Sequence, residues 1–201
     1  MKSGERWETI REAFPGRLLA AQTVGVVGAG RVGRAVIHLF RAFGCRVLLY
    51  DPLVSVDQAA ALGVESMTLD DVLAQSDVVT LHAPVLPETQ GMIGAAELAR
   101  LHDRAIFVNT ARAALVDECA LLRELETGRI GGALDVFADE PLPIDSPLHT
   151  LPNVLLSPHA AGHTLDTHLR QGQIMVDEVQ RFIRSERLCY EITPAMFPIL
   201  A

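Results

Sequence analysis

Gly28, Gly30 and Gly33 fall within TVGVVGAGRVGRAV (23–36), where an apolar run ends in a glycine turn and an amphipathic pattern begins. Glycines at this spacing let the chain turn sharply, let its backbone approach a phosphate, and let the following helix pack tightly against the preceding strand. A helix opening here, with Arg31 and Val32 in its first turn, offers unpaired N–H groups and the positive end of its dipole to a pyrophosphate. Asp51 ends the next apolar run, RVLLYD (46–51), about 20 residues further on, where a carboxylate accepts hydrogen bonds from adenosine ribose hydroxyls. Its charge repels a 2′-phosphate, so the pattern predicts NAD(H) in preference to NADP(H). A second cluster, His159, His163 and His168 in HAAGHTLDTH, invites a zinc reading. The first pair lacks the intervening Glu of a metalloprotease helix, Gly162 interrupts it, and no acidic or Cys fourth ligand is evident, so no metal is expected.

A glycine turn binds a dinucleotide only if a strand precedes it and a helix follows. Six runs read as strands: TVGVVG (23–28), RVLLYD (46–51), SDVVTLHAP (76–84), RAIFVNT (104–110), GGALDVF (131–137) and NVLLSPH (153–159). Each is nearly continuous apolar sequence ending in a polar residue. That is the signature of parallel strands buried on both faces, with the polar residue at the carboxyl edge where such sheets bind ligands. Helices are expected between them: 31–43 before Gly44, 55–62 before Gly63, 69–75 after Thr68, 94–101, 117–127 between Asp117 and Gly128, and 165–186 after Thr164. In the last, Leu165, Leu169, Gly172, Val176, Val179 and Ile183 recur at spacings of three and four, which predicts one face packed on the body. The fold class is therefore α/β, a Rossmann-type doubly wound parallel sheet with helices on both faces. The Pro-rich stretch 139–153 is long for a loop in such a unit, a length often tied to function.

Composition narrows the partners. The 201 residues are 49% hydrophobic and carry a net charge of −8, enough for one substantial core and without the basic patch that nucleic acid needs. Cys45, Cys119 and Cys189 have neither disulfide-framework nor metal spacing, and the polar start MKSGERWETIREAF is no signal peptide. No apolar stretch is long enough to span a bilayer, so a cytoplasmic protein is expected, with neither nucleic acid nor membrane as partner.

The stretches LHAPVLPETQGMIG (81–94), NTARAALVDECALLREL (109–125), GGALDVFADEPLP (131–143) and LPNVLLSPHAAGHT (151–164), with the glycine motif, resemble the NAD-binding domain of the D-isomer-specific 2-hydroxyacid dehydrogenases. The resemblance covers nearly the whole chain. It implies that Arg112 clamps the carboxylate and keto oxygen of a 2-oxo acid, that His159 is the acid–base group, and that Glu140 fixes its tautomer. It further implies that Asp135 orients the nicotinamide carboxamide and that Pro84, Thr110 and Ala111 line the cofactor. His82 matches the family's LH-x-P and is counted with the cofactor contacts, although a buried histidine bonded to backbone is its expected role. His159 belongs to both sets.

Below family level, phosphoglycerate, glycerate or hydroxypyruvate and D-lactate types look alike, and so does a corepressor branch. Two departures stand out. Ala113 replaces the glycine that usually follows the arginine, and if that position needs φ > 0 the loop is strained by about 1 kcal/mol. Family members also carry a substrate domain before the glycine motif. Residues 1–22, including Trp7, resemble only the segment that follows it, giving an expected division into a connecting segment (1–22), a dinucleotide-binding domain (23–188) and a tail (189–201). An enzyme completed by a substrate domain or partner chain is expected, in a homodimer. The alternative is a non-catalytic NAD(H)-binding or dimerisation module of corepressor type.

Overall fold

The computed structural model describes residues 16–194 and 196, so Trp7 lies outside the described residues. One sheet contains seven strands: β1 (Thr23–Val27), β2 (Arg46–Tyr50), β3 (Glu65–Ser66), β4 (Val78–Leu81), β5 (Ile106–Asn109), β6 (Gly131–Leu134) and β7 (Val154–Leu156). Their spatial order is 3-2-1-4-5-6-7, and every neighbouring pair is parallel. Parallel neighbours require a crossover, and helices supply most of them. They are α1 (Arg31–Ala42), α2 (Val56–Leu62), α3 (Leu69–Gln75), α4 (Ala95–Leu98) and α5 (Glu118–Glu126), with α6 (Leu165–Ile183) following β7. The chain walks outward from β1 to β3, then returns to β4 on the other side of β1. That reversal opens a crevice at the carboxyl ends of β1 and β4.

Local chemistry sets the helix ends. Ser55 and Gln58 close a reciprocal capping box on α2, while Thr68, Asp117 and Thr164 each accept a backbone N–H at the start of α3, α5 and α6. Gly44, Gly63 and Gly128 take positive φ where α1, α2 and α5 end, as the sequence predicts. Three elements differ from expectation, among them α6, which ends at Ile183 rather than 186. The two-residue β3 was too short and polar to announce itself, and α4 is a single turn rather than the whole of 94–101.

On one sheet face, Ile37 of α1 and Ala59 of α2 pack with Val24, Val26, Val47 and Leu49. On the other, Val72, Leu73, Leu98, Leu121 and Leu125 from α3, α4 and α5 bury Leu48, Val79, Leu81, Phe107 and Leu134. The first face is only half covered. Val24 pairs with Val78 and Val78 with Ile106, while Val26 leads through Thr80, Val108 and Ala133 to Leu155, so all of these project from the α1–α2 side. Yet Ile106 is 44% and Leu155 71% exposed. The apolar stripe of α6 is also open to solvent: Leu165, Leu169, Val176, Val179 and Ile183 are all exposed, against the expectation of a packed face. What anchors the end of α6 is polar. Glu178 is buried and accepts from the amides of Cys189 and Tyr190 and from Arg181, folding the tail back along the helix until Tyr190 lies beneath the Arg31 guanidinium. No described helix is long and apolar enough to cross a membrane.

Candidate cofactor and active site

The glycine loop joins β1 to α1 under tight steric constraint. Gly28 has φ 95°, and a side chain there would run into the backbone of His82 and Ala83. At Gly33 any Cβ would collide with the Gly28 carbonyl, so the close crossing of α1 over the loop depends on its absence. Gly30, the N-cap of α1, faces open space and carries no protein atom where a side chain would go. The first turn of α1 holds Arg31 and Val32 and no acid. Asp51 follows β2 and reaches back, one oxygen accepting from the Ala29 amide at 2.7 Å and the other from Leu53 at 2.8 Å. Each oxygen keeps a lone pair for a ribose hydroxyl. The arrangement fits a dinucleotide: an acid-free helix terminus for the pyrophosphate, open space beside Gly30, and an acid at the neighbouring strand end.

Across the crevice, β5 delivers the second loop. Asn109 is buried, its amide donating to the Arg112 carbonyl at 3.0 Å while its oxygen accepts from the Ala111 amide, so it braces Thr110, Ala111 and Arg112 from below. Arg112 is extended and exposed, and donates to the Ala111 carbonyl at 2.7 Å. Among the described residues no carboxylate pairs with it. Ala113 opens a 3-10 turn and is not among the residues with positive φ. The strain expected from replacing glycine here is absent, because this turn never needs the left-handed region.

Arg112, Glu140 and His159 line one cleft of about 690 Å³, together with Val85, Glu118 and Phe137. His159 Nδ1 and Glu140 Oε2 are 2.7 Å apart, and the other Glu140 oxygen accepts from the Phe137 amide at 3.0 Å. The bond to His159, seconded by the Phe137 amide, holds the Glu140 carboxyl below its ordinary range. Glu118 secures the same turn by accepting from the Ala138 amide at 2.7 Å. With Nδ1 committed to the carboxylate, Nε2 is the nitrogen left for proton exchange. His159 itself has φ 50°, a left-handed conformation costing a non-glycine residue about 1 kcal/mol. Asp135 lies at the end of β6, 2% exposed, and binds that turn through Ser157 and the Ala160 and Ala161 amides. Burial pushes its carboxyl up, but the Ser157 hydroxyl and the two amides outweigh that, leaving it below the ordinary value.

His82 and Pro84 follow β4 beside the glycine loop, where His82 donates its amide to the Val27 carbonyl and its ring bonds the Thr80 hydroxyl at 3.0 Å, not backbone as expected. Burial lowers its pKa from 6.5 to about 4. The unfolded chain therefore binds more protons between those values, so stability rises with pH through the window and is lost as pH falls from 6.5 toward 4. The full shift corresponds to at most about 3 kcal/mol, less with residual solvent contact. Urea midpoints at pH 7 and 4.5 should show this loss in the wild type and a flatter profile in His82→Gln. His163 and His168 pack edge to face, and the described residues hold no cluster of three metal-ligating groups. Sequence reasoning passed over Asn109, Glu118 and Ser157. Their signal was weak, since small or polar residues at element ends look like turn punctuation.

Comparison with known proteins identifies the family and matches the fold. A family profile described as "D-isomer specific 2-hydroxyacid dehydrogenase, NAD binding domain" matches residues 1–161. The chain is 44% identical over 166 residues to a glyoxylate reductase from Korarchaeum cryptofilum, covering 82% of this chain and 50% of that protein. It is 42% identical over 177 residues to a D-3-phosphoglycerate dehydrogenase from Mycobacterium bovis, covering 88% and 33% respectively. Among solved structures, D-lactate dehydrogenase with NAD+ from Lactobacillus jensenii superposes with a TM-score of 0.78 at 29% identity, over 90% of this chain and 58% of that one. A D-isomer specific 2-hydroxyacid dehydrogenase from Xanthobacter autotrophicus Py2, in complex with NADPH and MES, gives 0.77 at 32% identity, over 94% and 79%. The chain thus spans a third to a half of the length of these two curated relatives. By its profile match, its sheet and its glycine loop, this chain belongs to the D-isomer specific 2-hydroxyacid dehydrogenase family as an NAD-binding domain.

Proposed function

We propose that the chain is the cofactor-binding and acid–base half of an NAD-dependent oxidoreductase acting between a small D-2-hydroxy acid and its 2-oxo acid. The observation that carries this reading is the 2.7 Å His159–Glu140 pair facing the same cleft as Arg112, which has no acidic partner among the described residues. Bound nicotinamide supplies or accepts the hydride. Every other task falls to the protein. Arg112 presents a planar cation to the substrate carboxylate and the oxygen at C2, polarising the carbonyl. His159 Nε2 donates a proton to that oxygen during reduction and takes it back in oxidation, while Glu140 holds the ring through Nδ1 and fixes which nitrogen faces the substrate. Gly28, Gly30, Arg31, Val32, Gly33 and Asp51 would hold the dinucleotide, with His82, Pro84, Thr110, Ala111 and Asp135 along its nicotinamide side.

Calorimetric titration of NADH, with and without oxamate as a 2-oxo acid mimic, tests this. Oxamate should tighten NADH binding, and NADPH should bind more weakly than NADH because of Asp51. If NADH binds and oxamate changes nothing, the second reading gains: a nucleotide-binding or dimerisation module, a view supported by the open apolar faces of β5–β7 and α6. Those faces also support a homodimer, since a parallel sheet ordinarily has both faces covered. Light scattering at micromolar concentration should give the mass of a dimer. Three free thiols, Cys45, Cys119 and Cys189, favour a reducing compartment and a cytoplasmic location.

A further inference from the structure

We propose that Ser157 is a positioning residue which, with Asp135, forms a clasp fixing the turn that carries His159 and so aims the imidazole at Glu140. The inference rests on His159 being the acid–base group. Its geometry is independent of turnover.

Leu134 and Leu156 pair in the β6–β7 ladder, so the residues that follow them, Asp135 and Ser157, leave the sheet side by side. Ser157 Oγ donates to Asp135 Oδ1 at 2.6 Å. The same oxygen accepts from the Ala160 amide at 2.8 Å, and Oδ2 accepts from the Ala161 amide at 3.0 Å. Pro158 fixes its own φ and favours extended backbone at Ser157, and His159 then turns left-handed. That reversal brings the next two amides together on one carboxylate, as consecutive N–H groups cradle an anion in a backbone nest. It also leaves the His159 ring free to meet Glu140 at 2.7 Å.

The two halves of the clasp depend on each other. A buried carboxylate needs its donors, and a left-handed histidine needs something to hold the amides that follow it. Ser157 contributes the side-chain donor of the three, so it can be removed without altering the backbone. Glu140 fixes the ring's tautomer, whereas Ser157 fixes where the ring stands.

The test is ¹⁵N NMR of histidine-labelled full-length chain, with His159 assigned by its loss in His159→Gln. In the wild type the His159 ring nitrogens should be displaced from those of a free imidazole by the bond to Glu140. Ser157→Ala should return them toward free values, and Ser157→Thr, which keeps the hydroxyl, should restore the wild-type positions. Wild-type ring signals in Ser157→Ala would overturn the proposal, as would equal displacement in the alanine and threonine variants. Should Ser157→Ala fail to fold, Ser157→Cys, close in shape and a much weaker donor, gives the same comparison. A protein in which oxamate leaves NADH binding unchanged but whose His159 signals still depend on Ser157 refutes the dehydrogenase reading alone. A protein in which oxamate tightens NADH binding but whose His159 signals ignore Ser157 refutes the clasp alone.

Discussion

Replacing His159 by alanine should lower reduction of a 2-oxo acid by about 10²–10⁴-fold, the usual contribution of a positioned proton donor. The NADH dissociation constant should change by no more than about threefold, well under 1 kcal/mol. The separation is expected because His159 is exposed and its ring bond is to Glu140, so its removal leaves no buried partner unsatisfied. Glu140→Gln should cost less. It keeps a hydrogen-bonding side chain beside Nδ1 but replaces the carboxylate with an amide that can present either a donor or an acceptor to the ring, so the loss should concentrate in kcat rather than in NADH binding. Stopped-flow NADH oxidation together with NADH fluorescence titration separates the two. Parallel loss of turnover and of NADH affinity in His159→Ala would make His159 a structural residue and sink the acid–base assignment.

Gly33→Val should be the most damaging single change in the cofactor loop. Its first side-chain carbon meets the Gly28 carbonyl, a backbone group that cannot rotate away, so α1 must lift from β1. Overpacking against backbone of this kind costs about 3 kcal/mol or more, and NADH binding should disappear with it. Gly30→Val is the informative contrast, because no protein atom lies near its added carbon. That variant should melt within a few degrees of wild type, having added only a β-branched residue at a helix N-cap, and yet bind NADH at least about tenfold more weakly. Should Gly30→Val bind NADH normally, the open space beside it is not the pyrophosphate site.

The sequence disclosed the elements that depend on local rules. The runs RVLLYD (46–51), RAIFVNT (104–110), GGALDVF (131–137) and NVLLSPH (153–159) each contain a strand whose carboxyl end turns polar, because parallel strands buried by helices must be apolar along their length and can turn polar only where they emerge. Caps at Thr68, Asp117 and Thr164 were legible for a similar reason: each satisfies N–H groups within its own helix. Ser55, read as the first residue of its helix, proved to be the cap. The exposure of α6 was not legible. Periodicity at Leu165, Leu169, Val176 and Val179 reports that a helix has an apolar face, and says nothing of what meets it. In the site, Arg112, Glu140 and His159 came from resemblance, and the structure adds that one cleft holds all three. Asn109 and Ser157 stayed hidden because their partners are brought close by folding, at backbone groups that leave no trace in residue type.

One consequence of the strand order concerns inheritance. The residues proposed for the adenosine and pyrophosphate end, from Gly28 to Asp51, lie on β1, α1 and the end of β2, whereas Arg112, Glu140 and His159 arise from the loops after β5, β6 and β7. The two groups join through the β1–β4 ladder, four residue pairs from Val24–Val78 to Val27–Leu81. Under the proposed function, substitutions around Asp51 that alter nucleotide choice can accumulate on one side of that seam without touching the residues assigned to proton transfer on the other. On that reading, a lineage built on this sheet can change its redox currency while its proton chemistry stays as it is.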